Sequence, residues 1–133
     1  GIPYLPVDIV AAEDCTVMFL NGKTLLNTCD NSCTFHHTLI RNLLGIVAQK
    51  NMYLNQKIKY TSRKTTRAKL MAYLTDQAKL KRSNDFTIPF NRQELADYLG
   101  VERSAMSAEL GKLTKLGILR TQRSHFTLLK PLD

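Results

Sequence analysis

The sequence predicts a mainly α chain with a small β component (α+β), and three observations carry that prediction. A helical apolar repeat runs from about residue 36 to 61, and two short amphipathic runs, NRQELADYLG and VERSAMSAELGKL, meet at Gly100. After Gly117 the apolar residues switch to alternation, the period of a strand. At 133 residues, 44% of them hydrophobic and none Trp, the chain has the composition of one ordinary globular domain or two small ones.

Charge is divided unevenly along this chain. The formal net charge is +8, yet residues 1–50 hold three basic and four acidic side chains, whereas residues 51–133 hold sixteen and seven. The C-terminal part is therefore where an anionic partner is expected. Cys15, Cys29 and Cys33 make an odd count without a CxxC pair, which reads as reduced thiols. His36 and His37 follow Cys33 closely, but adjacent residues on a helix point to different faces, so no metal site is expected. No apolar run reaches the length of a transmembrane helix and the N-terminus lacks a signal-peptide pattern, so a soluble cytoplasmic protein is expected. Nor is there a catalytic cluster or a phosphate-binding glycine loop, and the chain does not read as an enzyme.

The first stretch, VDIVAAEDCTVMFLNGKTLL, reads as two strands around a Glu13-Asp14 turn, followed by a short helix capped by Asn21. Two strands do not make a stable sheet alone, so these need partners elsewhere or belong to a larger β-domain. From Cys33 to Thr61 the heptad pattern places Ile40, Val47 and Leu54 at one core position, and Leu44, Asn51 and Ile58 at the other. Such a seam predicts a dimerisation helix, with Asn51 setting register and two-strandedness. Leu39 and Leu43 widen the apolar face, which would also allow the helix to pack within its own chain. A second helix follows over TTRAKLMAYLTDQAKLKR, with Leu70, Met71, Leu74 and Ala78 on its apolar side, and FTIPF reads as an edge strand limited by Pro89.

Asn91 and Glu94 have the spacing of a capping box, with Phe90 and Leu95 placed as a hydrophobic staple. A helix is thus expected from residue 92, with Leu95, Ala96 and Leu99 buried and Gly100 in a left-handed turn. In the next helix Met106, Leu110 and Leu113 face inward, leaving Arg103, Ser104, Ser107, Ala108 and Gly111 outward. One long cation among small residues suits a helix entering a DNA major groove. Gly117 ends that helix, and two strands around Ile118–Thr121 and Phe126–Leu129 would form a wing across Gln122, Arg123, Ser124 and His125. A helix-turn-helix with a basic wing behind a dimer helix is a layout for binding double-stranded DNA.

The segment FNRQELADYLGVERSAMSAELGKLTKLGIL resembles the Crp/Fnr family of bacterial transcription regulators, close to its T-R-Q-E-[IL]-[AG]-x-x-[LV]-G pattern. The resemblance implies three parts: residues 1–35 as the remnant of a β-roll sensor of the cyclic-nucleotide-binding type, 36–62 as the dimerisation helix, and 63–133 as a winged helix-turn-helix. It implies phosphate contacts from Arg92 and Gln93, and Arg103 entering the groove. Ser107 matches some members, whereas Ser104 and Ala108 replace the Glu and Arg with which many members read bases, so the usual half-site does not carry over. Arg123, Ser124 and His125 are the wing candidates. A near-palindromic site, a homodimer and RNA polymerase are the implied partners. Most of the sensor, including its ligand-cradling loop, is not in this chain; no cofactor is expected and the effector is not readable. The alternative is a winged-helix module for protein interaction or non-specific nucleic-acid binding; neutralising Arg103 and Arg123 would separate the DNA reader from a protein-only module, which should lose little.

Overall fold

The computed structural model describes residues 7–23 and 34–129, and the chain divides into two units, Gly1–Ile46 and Val47–Asp133. The architecture is mainly helical with one three-stranded antiparallel sheet.

In the first unit, residues 7–21 contain no strand, only bends at residues 7 and 12–14. This corrects the two strands expected around Glu13-Asp14. The physical reason is the missing partner: Ile9, Val10 and Phe19 are 83%, 84% and 93% exposed, so alternation here finds no sheet or core to bury against among the described residues. The expected Asn21 cap does form, its Oδ1 accepting from the Lys23 N–H at 3.0 Å as helical backbone begins at residue 22. The remainder of that short helix lies outside the described residues.

Helix α1, Thr34–Thr61, begins in the first unit and ends in the second. Its seam is left largely uncovered by the described residues: Leu44, Val47, Leu54 and Ile58 are all more than half exposed, and Ile40 is half-buried. Asn51 lies on the same exposed stripe and accepts from Asn55 Nδ2 at 2.6 Å. Only Tyr60, at the C-terminal end, is buried.

The second unit continues with α2 (Thr66–Lys81), β1 (Asp85–Thr87), α3 (Arg92–Leu99), α4 (Arg103–Lys115), β2 (Leu119–Gln122) and β3 (His125–Leu128). Strand β3 is central, with β1 and β2 antiparallel on its two sides. Strand β1 stops at Thr87, short of the expected FTIPF strand, because Pro89 has no N–H to continue a ladder. Ile88 nevertheless remains 3% exposed and donates its N–H to the Ser124 carbonyl.

Three helices end alike, and the chain reversals depend on it. In α3 the Val101 N–H bonds the Ala96 carbonyl and the Gly100 N–H that of Asp97; in α4 the Ile118 N–H bonds Leu113 and the Gly117 N–H bonds Thr114. These paired bonds require a left-handed residue, supplied by Gly100 at φ +59° and Gly117 at φ +65°. At the end of α2 that residue is Arg82, at φ 52°, with Ser83 completing the same motif.

Leu70, Leu74, Leu95, Leu99, Met106, Leu113, Leu119 and Phe126 form the centre of the core, each fully buried. Helix α2 packs on α4 and β1, α3 on α4, and α4 on β2, so the helix pair is supported from behind by α2 and at its side by the sheet. A second, aromatic part of the core was not foreseen. Tyr73 and Tyr98 lie 5.7 Å apart between ring centres, Tyr60 meets both, and Phe90 stacks on Tyr98 at 5.0 Å. Burial is the main cause that pushes the phenols of Tyr60, Tyr73 and Tyr98 above their ordinary range, so all three remain neutral hydroxyls. Tyr60 donates to Asp76 at 3.0 Å, a carboxylate that Lys59 also engages.

Candidate nucleic-acid interface

The start of α3 is built by its own sequence. Asn91 Oδ1 accepts from the backbone N–H groups of Gln93 and Glu94, at 2.9 and 3.0 Å, while Glu94 Oε2 accepts from the Asn91 N–H at 2.7 Å. This is the reciprocal capping box expected from Asn91 and Glu94, and it fixes where Arg92 and Gln93 leave the backbone. The turn to α4 is held in addition by Lys69 Nζ, which donates to the Gly100 carbonyl at 3.1 Å.

Helix α4 buries Met106, Leu110 and Leu113 and presents Arg103, Ser104, Ser107, Ala108 and Gly111 to solvent. Its N-cap, Glu102, makes no side-chain bond to the helix, so the first-turn N–H groups receive no side-chain cap from it. A Cβ placed on Gly111 would meet nothing within 4 Å, so the small-residue face is open rather than a close packing site inside the chain.

The wing returns its tip to the start of α3. Between β2 and β3 the turn is Arg123-Ser124, with Gln122 paired to His125 and Arg123 at φ 53°, an uncommon conformation for a non-glycine residue. Consequently Asn91, Arg92, Gln93, Arg103, Arg123 and Ser124 line one open cleft of about 450 Å³, three cations without a carboxylate. The residues come from three places in the sequence: the N-terminus of α3, the N-terminus of α4 and the wing turn.

Within this group the side chains differ in what they touch. Arg103 and Arg123 have no hydrogen-bond or ion-pair partner among the described residues. Arg92 instead donates to Thr121 Oγ1 at 2.6 Å, and its guanidinium lies 4.9 Å from the centre of the Phe126 ring. Burial lowers its pKa, although a guanidinium keeps its charge. Gln93 donates to Asp97 at 2.9 Å on the exposed side of α3. Ser124 donates its hydroxyl to the Phe90 carbonyl at 3.0 Å. His125 points to the sheet: Nε2 meets Asp85 and Nδ1 lies 3.1 Å from the Thr87 hydroxyl. Arg92 thus has its partner in the wing, Ser124 in the segment before α3 and His125 in β1, which spacing could not reveal because those partners lie 29 to 40 positions away. The residue missed altogether is Thr121; an alternating strand with a Thr beside the wing turn was the available signal.

Among the described residues no three His, Cys, Asp or Glu side chains gather as a metal site, and no helix is long and apolar enough to cross a membrane. Cys15 is exposed, while Cys29 and Cys33 lie outside the described residues.

A capped helix, a tight glycine turn, a second helix with an open outer face and a three-stranded sheet that ends in a basic hairpin define a winged helix-turn-helix. Residues 68–132 match the Crp-like helix-turn-helix domain. Among solved structures, a protein described as a Crp/Fnr-family transcriptional regulator, from Eubacterium rectale, is similar at 16% identity over 74% of this chain, with a TM-score of 0.47. This chain spans 44% of that protein's length. A comparison with curated proteins gave no match. A Crp-like helix-turn-helix is a domain of DNA-binding transcription regulators, a class that is typically not enzymatic.

Proposed function

We propose that this protein is a sequence-specific, DNA-binding transcription regulator that acts in the cytoplasm as a homodimer. Helix α4 enters the major groove with Arg103, Ser104, Ser107 and Ala108 towards base edges, while Arg123 and Gln93 hold backbone phosphates on either side. Two copies joined along Ile40, Leu44, Val47, Asn51, Leu54 and Ile58 would set two such helices about one DNA turn apart, on a near-palindromic site. RNA polymerase would be a further partner of the whole regulator.

The observation that carries this reading is the outer face of α4. It is open, lined by small residues, and flanked in one cleft by Arg103 and Arg123, two cations that no carboxylate of the described chain neutralises. Small side chains allow a helix backbone to approach base edges, and unpaired arginines supply the charge that releases counterions from DNA.

The test is selection of bound duplexes from a random pool with the wild-type chain and Arg103→Ala, each at two salt concentrations. A palindrome should be enriched, and Arg103→Ala should relax one position of it, at a cost of about 1–3 kcal/mol. Salt-sensitive binding with no enriched sequence would favour a non-specific nucleic-acid module instead. Binding unaffected by removing both Arg103 and Arg123 would overturn the reading.

A further inference from the structure

We infer that Arg92 is the positioning residue of the wing, a strut that ties the start of α3 to the β2–β3 hairpin, and not a ligand of DNA phosphate. The inference rests on the DNA-binding reading above, and names how one part of that surface is held in shape.

The geometry has two sides. On one, the guanidinium donates to Thr121 Oγ1 at 2.6 Å, and the Thr121 hydroxyl passes its own proton to the His125 carbonyl at 3.1 Å. A single hydroxyl therefore accepts from α3 and donates across the hairpin, linking helix, β2 and the first residue of β3. On the other side the guanidinium sits over the Phe126 ring, the fully buried centre of β3. Phe126 in turn stacks on Phe86 of β1 with ring centres 6.3 Å apart. An arginine engaged through both a fork nitrogen and its face has given up the freedom that a surface phosphate contact uses.

Two further bonds show that this clamp acts on the turn itself. Ser124 Oγ donates to the Phe90 carbonyl, and the Ile88 N–H donates to the Ser124 carbonyl, each at 3.0 Å. The segment from Ile88 to Arg92 thus grips the hairpin at Ser124, Thr121 and Phe126. Arg123, the turn residue without a partner among the described residues, is held at φ 53° and lines the same cleft as Arg103. Fixing the turn in advance removes the ordering cost when Arg123 meets DNA.

The experiment compares the full chain with Arg92→Ala, Arg92→Lys, Thr121→Val and the Arg92→Ala/Thr121→Val double variant. Without DNA, amide hydrogen exchange at Thr121, Gln122 and His125 should accelerate by about tenfold in Arg92→Ala and in Thr121→Val, with α4 amides unchanged. With the selected duplex, both single variants should bind about tenfold more weakly while the dependence of log K on log salt keeps the wild-type slope, since no phosphate contact is lost. The double variant should be little worse than either single one, because both break one linkage. Arg92→Lys should recover part of the loss.

A salt slope reduced by about 1 in Arg92→Ala, with Thr121→Val behaving as wild type and hairpin exchange unaltered, would make Arg92 a phosphate ligand and overturn the inference. Should the wild-type chain bind no duplex, the regulatory reading fails, and the exchange experiment alone still decides whether Arg92 clamps the wing.

Discussion

Helix α1 and the winged domain treat the same residue type in opposite ways. Leu95, Leu99 and Leu113 are wholly buried, whereas Leu44 and Leu54 of α1 are 64% and 55% exposed. Both regions carry apolar residues at helical spacing, so periodicity does not distinguish them. What differs is supply: α2, α3, α4 and the sheet cover one another, while the stripe on α1 finds no apolar cover among the described residues. An apolar stripe states that burial is needed, not which chain provides it. For α1 the answer proposed here is a second copy.

The sharpest way to test the contrast begins inside the winged domain. Leu99→Ala should cost about 2–5 kcal/mol of unfolding free energy in a urea titration, because its contacts are internal and the cavity cannot fill completely. A loss below about 1 kcal/mol would mean that this core is looser than its burial indicates.

Leu54→Glu makes the opposite demand of α1. A charge on the exposed seam should weaken self-association at least about 100-fold in sedimentation, while the winged domain's stability changes by no more than about 0.5 kcal/mol. If association is unaffected, the seam is not the dimer contact; if the winged domain unfolds, Leu54 supports its core despite being exposed.

Gly111→Ala sharpens the comparison within α4, between its packed and open faces. A methyl group there meets nothing within 4 Å, so the variant should gain up to about 1 kcal/mol in stability through helix propensity alone. On the proposed reading it should bind the selected duplex more weakly, since the backbone can no longer approach as closely. A variant that is more stable and binds equally well would show that Gly111 has no part in recognition.

Much of this molecule was legible from local sequence. The capping box at Asn91 and Glu94, the left-handed turns at Gly100 and Gly117, the inward triplet Met106, Leu110, Leu113 and the two strands of the wing all stand where spacing placed them, within one residue. Each rests on groups within a few positions of one another, so chain neighbours alone specify them. The strands expected in residues 7–20 failed for the same reason in reverse: alternation was present, but strand formation depends on a partner that local sequence cannot supply.

The sequence by itself thus determined where helices start and stop, which faces are apolar and where the positive charge collects. Only the tertiary structure decided that Arg92 turns towards the wing, Ser124 towards the Phe90 carbonyl and His125 towards β1, that Tyr60, Tyr73, Tyr98 and Phe90 share one aromatic cluster, and that Arg103 and Arg123 line one cleft without a partner among the described residues. The physical reason is range. Caps and turns are satisfied by backbone groups one to five residues away, whereas an arginine's partner is set by which strand the fold brings beside it.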